Sequence, residues 1–130
     1  MPPTILVVDD DPGLRGILAD ALRDAGYAVD EASNGLLALK QIARHVPELI
    51  VSDVRMPHLD GIGLATTLTP HSPSIPIILM SANARPRECP QPFIRKPFDL
   101  EALLTLIVRT LPISAVVPVA LTGLGAAPDE

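Results

Sequence analysis

Asp9, Asp10 and Asp11 follow without a break on the apolar run Ile5-Leu6-Val7-Val8. Further along, Asp53 closes Leu49-Ile50-Val51-Ser52, Ser81 closes Ile77-Ile78-Leu79-Met80, and Lys96 closes Phe93-Ile94-Arg95. Carboxylates this close repel one another, and a hard cation such as Mg²⁺, which takes oxygen ligands, relieves that repulsion. A carboxylate can also attack phosphorus and form an acyl phosphate. A lysine and a hydroxyl can then hold the oxygens of the transferred group, because phosphoryl transfer depends chiefly on positioning and charge neutralisation. Acids, hydroxyl and ammonium therefore make a set for phosphoryl chemistry, provided they meet.

The elements between them decide whether they do. Each run is apolar at nearly every position instead of every second one, the pattern of a strand buried on both faces of a parallel sheet. Helical signals alternate with the runs. Pro12 suits a first helical turn, and Leu14, Ile17, Leu18, Ala21, Leu22 and Ala25 keep helical spacing up to Gly26. Residues 27–31 form a short strand candidate, and Leu36, Leu39, Ile42, Ala43 and Val46 mark a second helix that stops before Pro47. A weaker helix spans 61–68, after which Pro70, Pro73 and Pro76 bracket a loop. Asp99 can cap a last helix over 100–111, with Leu103, Leu104, Ile107, Val108 and Leu111 on its buried side. Strands alternating with helices imply right-handed crossovers, so every strand delivers its C-terminal end to one rim. That rim is where open α/β sheets bind ligands.

At 130 residues, 48% of them hydrophobic, the chain can build a single core. A formal net charge of −5 argues against nucleic acid as a direct partner, since a phosphate backbone needs a basic face. Cys89 is the only cysteine and cannot form an internal disulfide, which fits a reducing compartment; between Glu88 and Pro90 it reads as an exposed bystander. The first four residues hold no basic group, and the following apolar run is too short for a signal peptide. Residues 111–121 are mostly apolar but carry Pro112 and Pro118, and fall short of the roughly 20 residues a membrane span needs. The expectation is a cytoplasmic protein with no membrane partner.

Four stretches match a known family: Ile5-Leu6-Val7-Val8-Asp9-Asp10-Asp11-Pro12, Asp53-Val54-Arg55-Met56-Pro57-His58-Leu59-Asp60-Gly61, Ser81-Ala82, and Lys96-Pro97-Phe98. In this order, each at a strand end, they make the chain resemble the receiver domain of two-component response regulators over roughly residues 4–111. The resemblance implies an α/β, flavodoxin-like, doubly wound five-stranded parallel sheet. It implies that Asp53 is the phosphoacceptor, that Asp10 ligates Mg²⁺ together with Asp53 and the backbone carbonyl of Arg55, and that Asp9 holds the ion through water. Ser81 corresponds to the switch hydroxyl, Lys96 to the lysine that pairs with the phosphoryl group, and Phe93 to the aromatic switch. Arg55 and Asn83 flank the path of the hydrolytic water and would tune dephosphorylation. The Lys96–Pro97 peptide is implied to be cis. Asp11 and Asp60 read instead as helix-start residues.

The chain also departs from that pattern. Only residues 82–95 separate Ser81 from Lys96, about two helical turns fewer than usual, and Pro86, Pro90 and Pro92 fall among them. The family's fourth helix is accordingly expected to be absent or reduced to a turn, which removes a surface many receivers use for dimerisation or output. Residues 1–111 are then the receiver and 112–130 a tail with no output domain; its segment 113–121 is expected to pack over the vacated sheet face, in its own subunit or in a homodimer. The reading is a stand-alone phosphorylation switch, not an enzyme beyond possible self-dephosphorylation. It serves a histidine kinase or histidine phosphotransfer protein and an unknown downstream protein. Two alternatives differ in class. A receiver-like interaction module would work without phosphate. A Mg²⁺-dependent phosphohydrolase with an aspartyl nucleophile would need a second aspartate where Arg55 stands.

Overall fold

The structure, a computed structural model, describes residues 2–71, 75–87 and 89–111, with the backbone alone for 69–71. The expected tail and its packing lie outside the described residues. In chain order the elements are β1 (Thr4–Val8), α1 (Pro12–Asp24), β2 (Ala28–Ala32), α2 (Gly35–Arg44), β3 (Leu49–Asp53), α3 (Gly61–His71), β4 (Ile77–Ser81), β5 (Phe93–Arg95) and α4 (Leu100–Thr110). The five strands form one parallel sheet in the order β2-β1-β3-β4-β5. This is the flavodoxin-like, doubly wound arrangement, whose strand order reverses beside β1.

The unbroken apolar runs are explained by two cores, one on each face. Ile5, Val7, Leu49, Val51, Ile78 and Met80 face Leu18, Ala19 and Leu22 of α1 and Leu103 and Ile107 of α4. Their strand neighbours Leu6, Val8, Ile50, Ile77 and Leu79 point the other way, into Ala38 and Ile42 of α2 and Leu64 and Leu68 of α3. The central strands therefore have no solvent side on which a polar residue would be at ease.

Helix ends follow local chemistry. Asp11 Oδ1 accepts the amides of Gly13 (3.0 Å) and Leu14 (3.2 Å), Asn34 caps α2, and Asp99 caps α4. Gly26 takes a φ of 105°, the left-handed turn that lets the chain leave α1 for β2. Helix α3 runs three residues beyond the expected end and takes in Pro70. In a last turn, a missing amide forfeits only one helical hydrogen bond.

Among the described residues the fold has four helices, so a fourth helix is present; it is α4 and it follows β5. The expectation of a missing helix concerned the connection before β5, where residues 82–87 and 89–92 form turns and irregular backbone. Three prolines there remove the amides a helix would need. Cys89, expected to be exposed, is instead 8% exposed and packs into the α2/α3-side core. Arg85 Nη2 holds this connection in place by donating to the carbonyls of Cys89 (2.9 Å) and Gln91 (2.9 Å).

Candidate functional site

Strand β1 ends at Val8, and the next residue, Asp9, is only 1% exposed. Its amide extends the β1–β2 pairing by donating to the Ala32 carbonyl at 3.1 Å. Its carboxylate accepts the Asp11 amide (3.0 Å) through one oxygen and lies 3.5 Å from Lys96 Nζ through the other. Asp53, the last residue of the central strand β3, lies 3.3 Å from the same ammonium, with its side chain 14% exposed. Asp10 is exposed at the mouth of the cluster. Single oxygen atoms of Asp9, Asp10 and Asp53 lie within 4.8 Å of one another. Three carboxylates in that space, one buried, one half-buried and one open to solvent, suit a hard divalent cation.

Electrostatics at Asp53 follow from this crowding. Burial pushes its carboxyl above the usual carboxylate range; Lys96 draws it back down, and Asp9 and then Asp10 push it up again.

Ser81 ends β4 and is 5% exposed. Its Oγ accepts the Asn83 amide (3.1 Å), and its carbonyl accepts the Lys96 amide (2.8 Å), so hydroxyl and ammonium are carried on neighbouring strand ends. Strand β5 stops at Arg95, one residue before the lysine, and the Lys96–Pro97 peptide is cis, as the resemblance implied. Arg55 is exposed in the β3–α3 loop. Asn83 is exposed and engages the site through its backbone. Phe93 opens β5 half-buried against the α2/α3-side core. Asp11 and Asp60 are helix caps, the latter accepting the Gly63 amide at 2.7 Å.

Three features escaped the sequence reading. Gly61 opens α3 against the end of β3: a Cβ there would run into the Asp53 carbonyl and approach Leu79 Cδ2. Its signal was its place at a helix start just after the loop that follows Asp53. Arg15 Nη1 donates to the Asp9 carbonyl at 2.8 Å, and its spacing of one helical turn from Asp11 was the available clue. Third, Leu14 and Ile17 do not enter the core. Ile17 is 70% exposed, and the two line an apolar groove of about 520 Å³ with Leu18, Pro97, Phe98 and Leu100, which reaches Lys96. Among the described residues, no helix is long and apolar enough to cross a membrane.

Comparison with known proteins agrees with this fold. The family described as the response regulator receiver domain matches residues 5–108. The DNA-binding transcriptional regulator NtrC of Escherichia coli K12 is 31% identical over 114 residues, covering 82% of this chain and 24% of NtrC. The chain thus spans about a quarter of that relative's length. Among solved structures, the Vibrio cholerae chemotaxis protein CheY4 superposes with a TM-score of 0.80 at 28% identity, over 85% of this chain and 100% of CheY4. The response regulator TrrA of Thermotoga maritima, solved in complex with Mg²⁺-BeF, gives a TM-score of 0.77 at 30% identity, over 84% of this chain and 98% of TrrA.

Proposed function

The chain belongs to the response regulator receiver domain family, and from that premise we propose that it is a phosphorylation-dependent switch whose Asp53 takes a phosphoryl group from a histidine kinase or histidine phosphotransfer protein. Receiver domains are signalling domains of two-component systems, and the proposal concerns how this chain's residues do that work. The observation that supports it most is the placement of Lys96 between two carboxylates, 3.3 Å from Asp53 and 3.5 Å from Asp9, at the mouth of a three-acid cluster.

Asp53 is the nucleophile. One carboxylate oxygen bonds to phosphorus as the P–N bond of the donor's phosphohistidine breaks, and the electron pair leaves with the imidazole. Lys96 passes from the carboxylates to the oxygens of the new acyl phosphate. The Ser81 hydroxyl, whose oxygen accepts the Asn83 amide, donates its proton to the same oxygens. Asp10, Asp53 and the Arg55 carbonyl are the ligands assigned to Mg²⁺, with Asp9 acting through water; the close approach of the three carboxylates supports the set. What Mg²⁺ supplies when bound is neutralisation of the phosphoryl oxygens. Arg55 and Asn83 stand at the solvent side of Asp53 and Ser81, where they tune the lifetime of the acyl phosphate, and Phe93 follows the switch from β5.

The donor is proposed to dock in the groove between α1 and the loop before α4. Its apolar lining ends at Lys96, so a helix seated there would present its histidine to Asp53. DNA binding is a property named for NtrC, and is not part of this proposal. A cytoplasmic location rests on family membership.

Incubation with a small phosphodonor and Mg²⁺, followed by intact-mass measurement, tests the reading. Wild type should gain one phosphoryl group and Asp53→Asn none. An unmodified wild type, or a fully phosphorylated Asp53→Asn protein, overturns it; the first result would favour an interaction module that works without phosphate.

A further inference from the structure

We propose that Arg15 is a positioning residue for the acidic cluster, fixing the peptide that aims Asp9 and Asp10; the inference rests on the metal-binding reading above. Arg15 lies on the first turn of α1 with its side chain 19% exposed. Nη1 donates to the Asp9 carbonyl at 2.8 Å, and Nε donates to Glu31 Oε1 on edge strand β2 at 3.2 Å. Glu31 is itself held: its carbonyl accepts Gln41 Nε2 from α2 (2.8 Å), and Arg23 reaches its second carboxylate oxygen (3.5 Å). One guanidinium thereby ties the end of β1 to β2 and α2. The planar fork of arginine suits two acceptors held apart at fixed positions.

The bond falls on the peptide unit joining Asp9 to Asp10, whose orientation sets the direction of both side chains. Asp9 has other restraints, from the Asp11 amide and Lys96. Asp10 has none: it is exposed, and no described residue donates a hydrogen bond to its carboxylate. Its aim therefore depends on its backbone, and the backbone depends on Arg15.

Charge and geometry predict opposite signs. A cation beside the cluster repels Mg²⁺, so if Arg15 acted by charge alone its removal would tighten binding. If it acts by positioning, removal weakens binding, by about tenfold on the scale found when groups that orient metal ligands are lost.

Mg²⁺ titration of the full chain by calorimetry at fixed ionic strength decides, with melting temperature followed in parallel. Arg15→Met should bind about tenfold more weakly, and Arg15→Lys should recover part of the loss, since an ammonium can still donate to the Asp9 carbonyl but lacks the fork that holds Glu31 as well. Glu31→Gln should show a smaller loss and, if Arg15→Met fails to fold, it and Arg15→Lys carry the test. Equal or tighter binding in the folded variants, beside a wild type that binds Mg²⁺, overturns the role of Arg15 alone. A wild type that does not bind Mg²⁺ overturns the metal site as well.

Discussion

Asp53 is under tension from opposing charges. Burial and the neighbouring Asp9 and Asp10 favour its neutral form, while Lys96 favours the carboxylate, and the balance leaves its carboxyl above the usual range. The folded chain therefore holds a proton on Asp53 at pH values where the unfolded chain has released it. By linkage, this group's contribution to stability rises as pH falls through the raised value, and it is a cost once Asp53 is ionised in both states. In the absence of divalent cations, Asp53→Asn should melt above wild type at neutral pH, and the gap should close toward the ordinary carboxylate range. Thermal melts of the two proteins across that span measure it; a gap that does not change with pH, or a variant melting below wild type at neutral pH, rejects the account. The same tension explains why this residue was legible in sequence. A charge at the end of a run as apolar as Leu49-Ile50-Val51 needs a partner, and Lys96 is that partner at 3.3 Å.

Elements were legible where periodicity carried them and illegible where tertiary approach did. Both faces of β1, β3 and β4 could be read from their unbroken apolar runs, and Asp11 and Asp99 marked helix starts. Helical spacing in α1 showed where apolar side chains lie but not what covers them, so it could not tell that Leu14 and Ile17 stay exposed while Leu18 and Leu22 enter the core. Cys89 was misjudged because a run of prolines erases periodicity, and the burial of an irregular segment depends on what it lies across. Gly61 carried only the signal of its place at the start of a helix. Its role is the space it leaves between α3 and the Asp53 backbone, and the α3 start is tied down further by the Gly61 amide on the Val54 carbonyl at 2.9 Å. Gly61→Ala should cost about 1–3 kcal/mol, the usual effect of forcing a methyl group into filled space. It should also slow phosphorylation, because the strand end bearing Asp53 must yield. Melting temperature and phosphorylation rate together check this; a variant unchanged in both would show that the contact relaxes freely.

At the scale of the whole molecule, the sheet face beside β4 is closed by a proline-rich connection where a helix would ordinarily lie. Its closure relies on the two carbonyls that Arg85 gathers and on the Cys89 side chain they seat. Removing a bond from a charged donor weakens such a seat by about 1.5 kcal/mol. Arg85→Ala should therefore let a thiol reagent reach Cys89 about tenfold faster, with the protein otherwise folded; an unchanged rate would mean that the prolines alone hold the connection. A different consequence follows from the common direction of the strands. Asp9, Asp53, Ser81 and Lys96 all stand at or just beyond C-terminal strand ends, while the opposite rim holds turns such as Ala25–Gly26 and the run from His45 to Pro47. The fold thus has a chemical end and a splicing end. Foreign sequence, a fluorescent tag or a new pair of termini grafted at the second would leave the first untouched, so under the proposed function the chain is a cassette for building phosphorylation-controlled fusions.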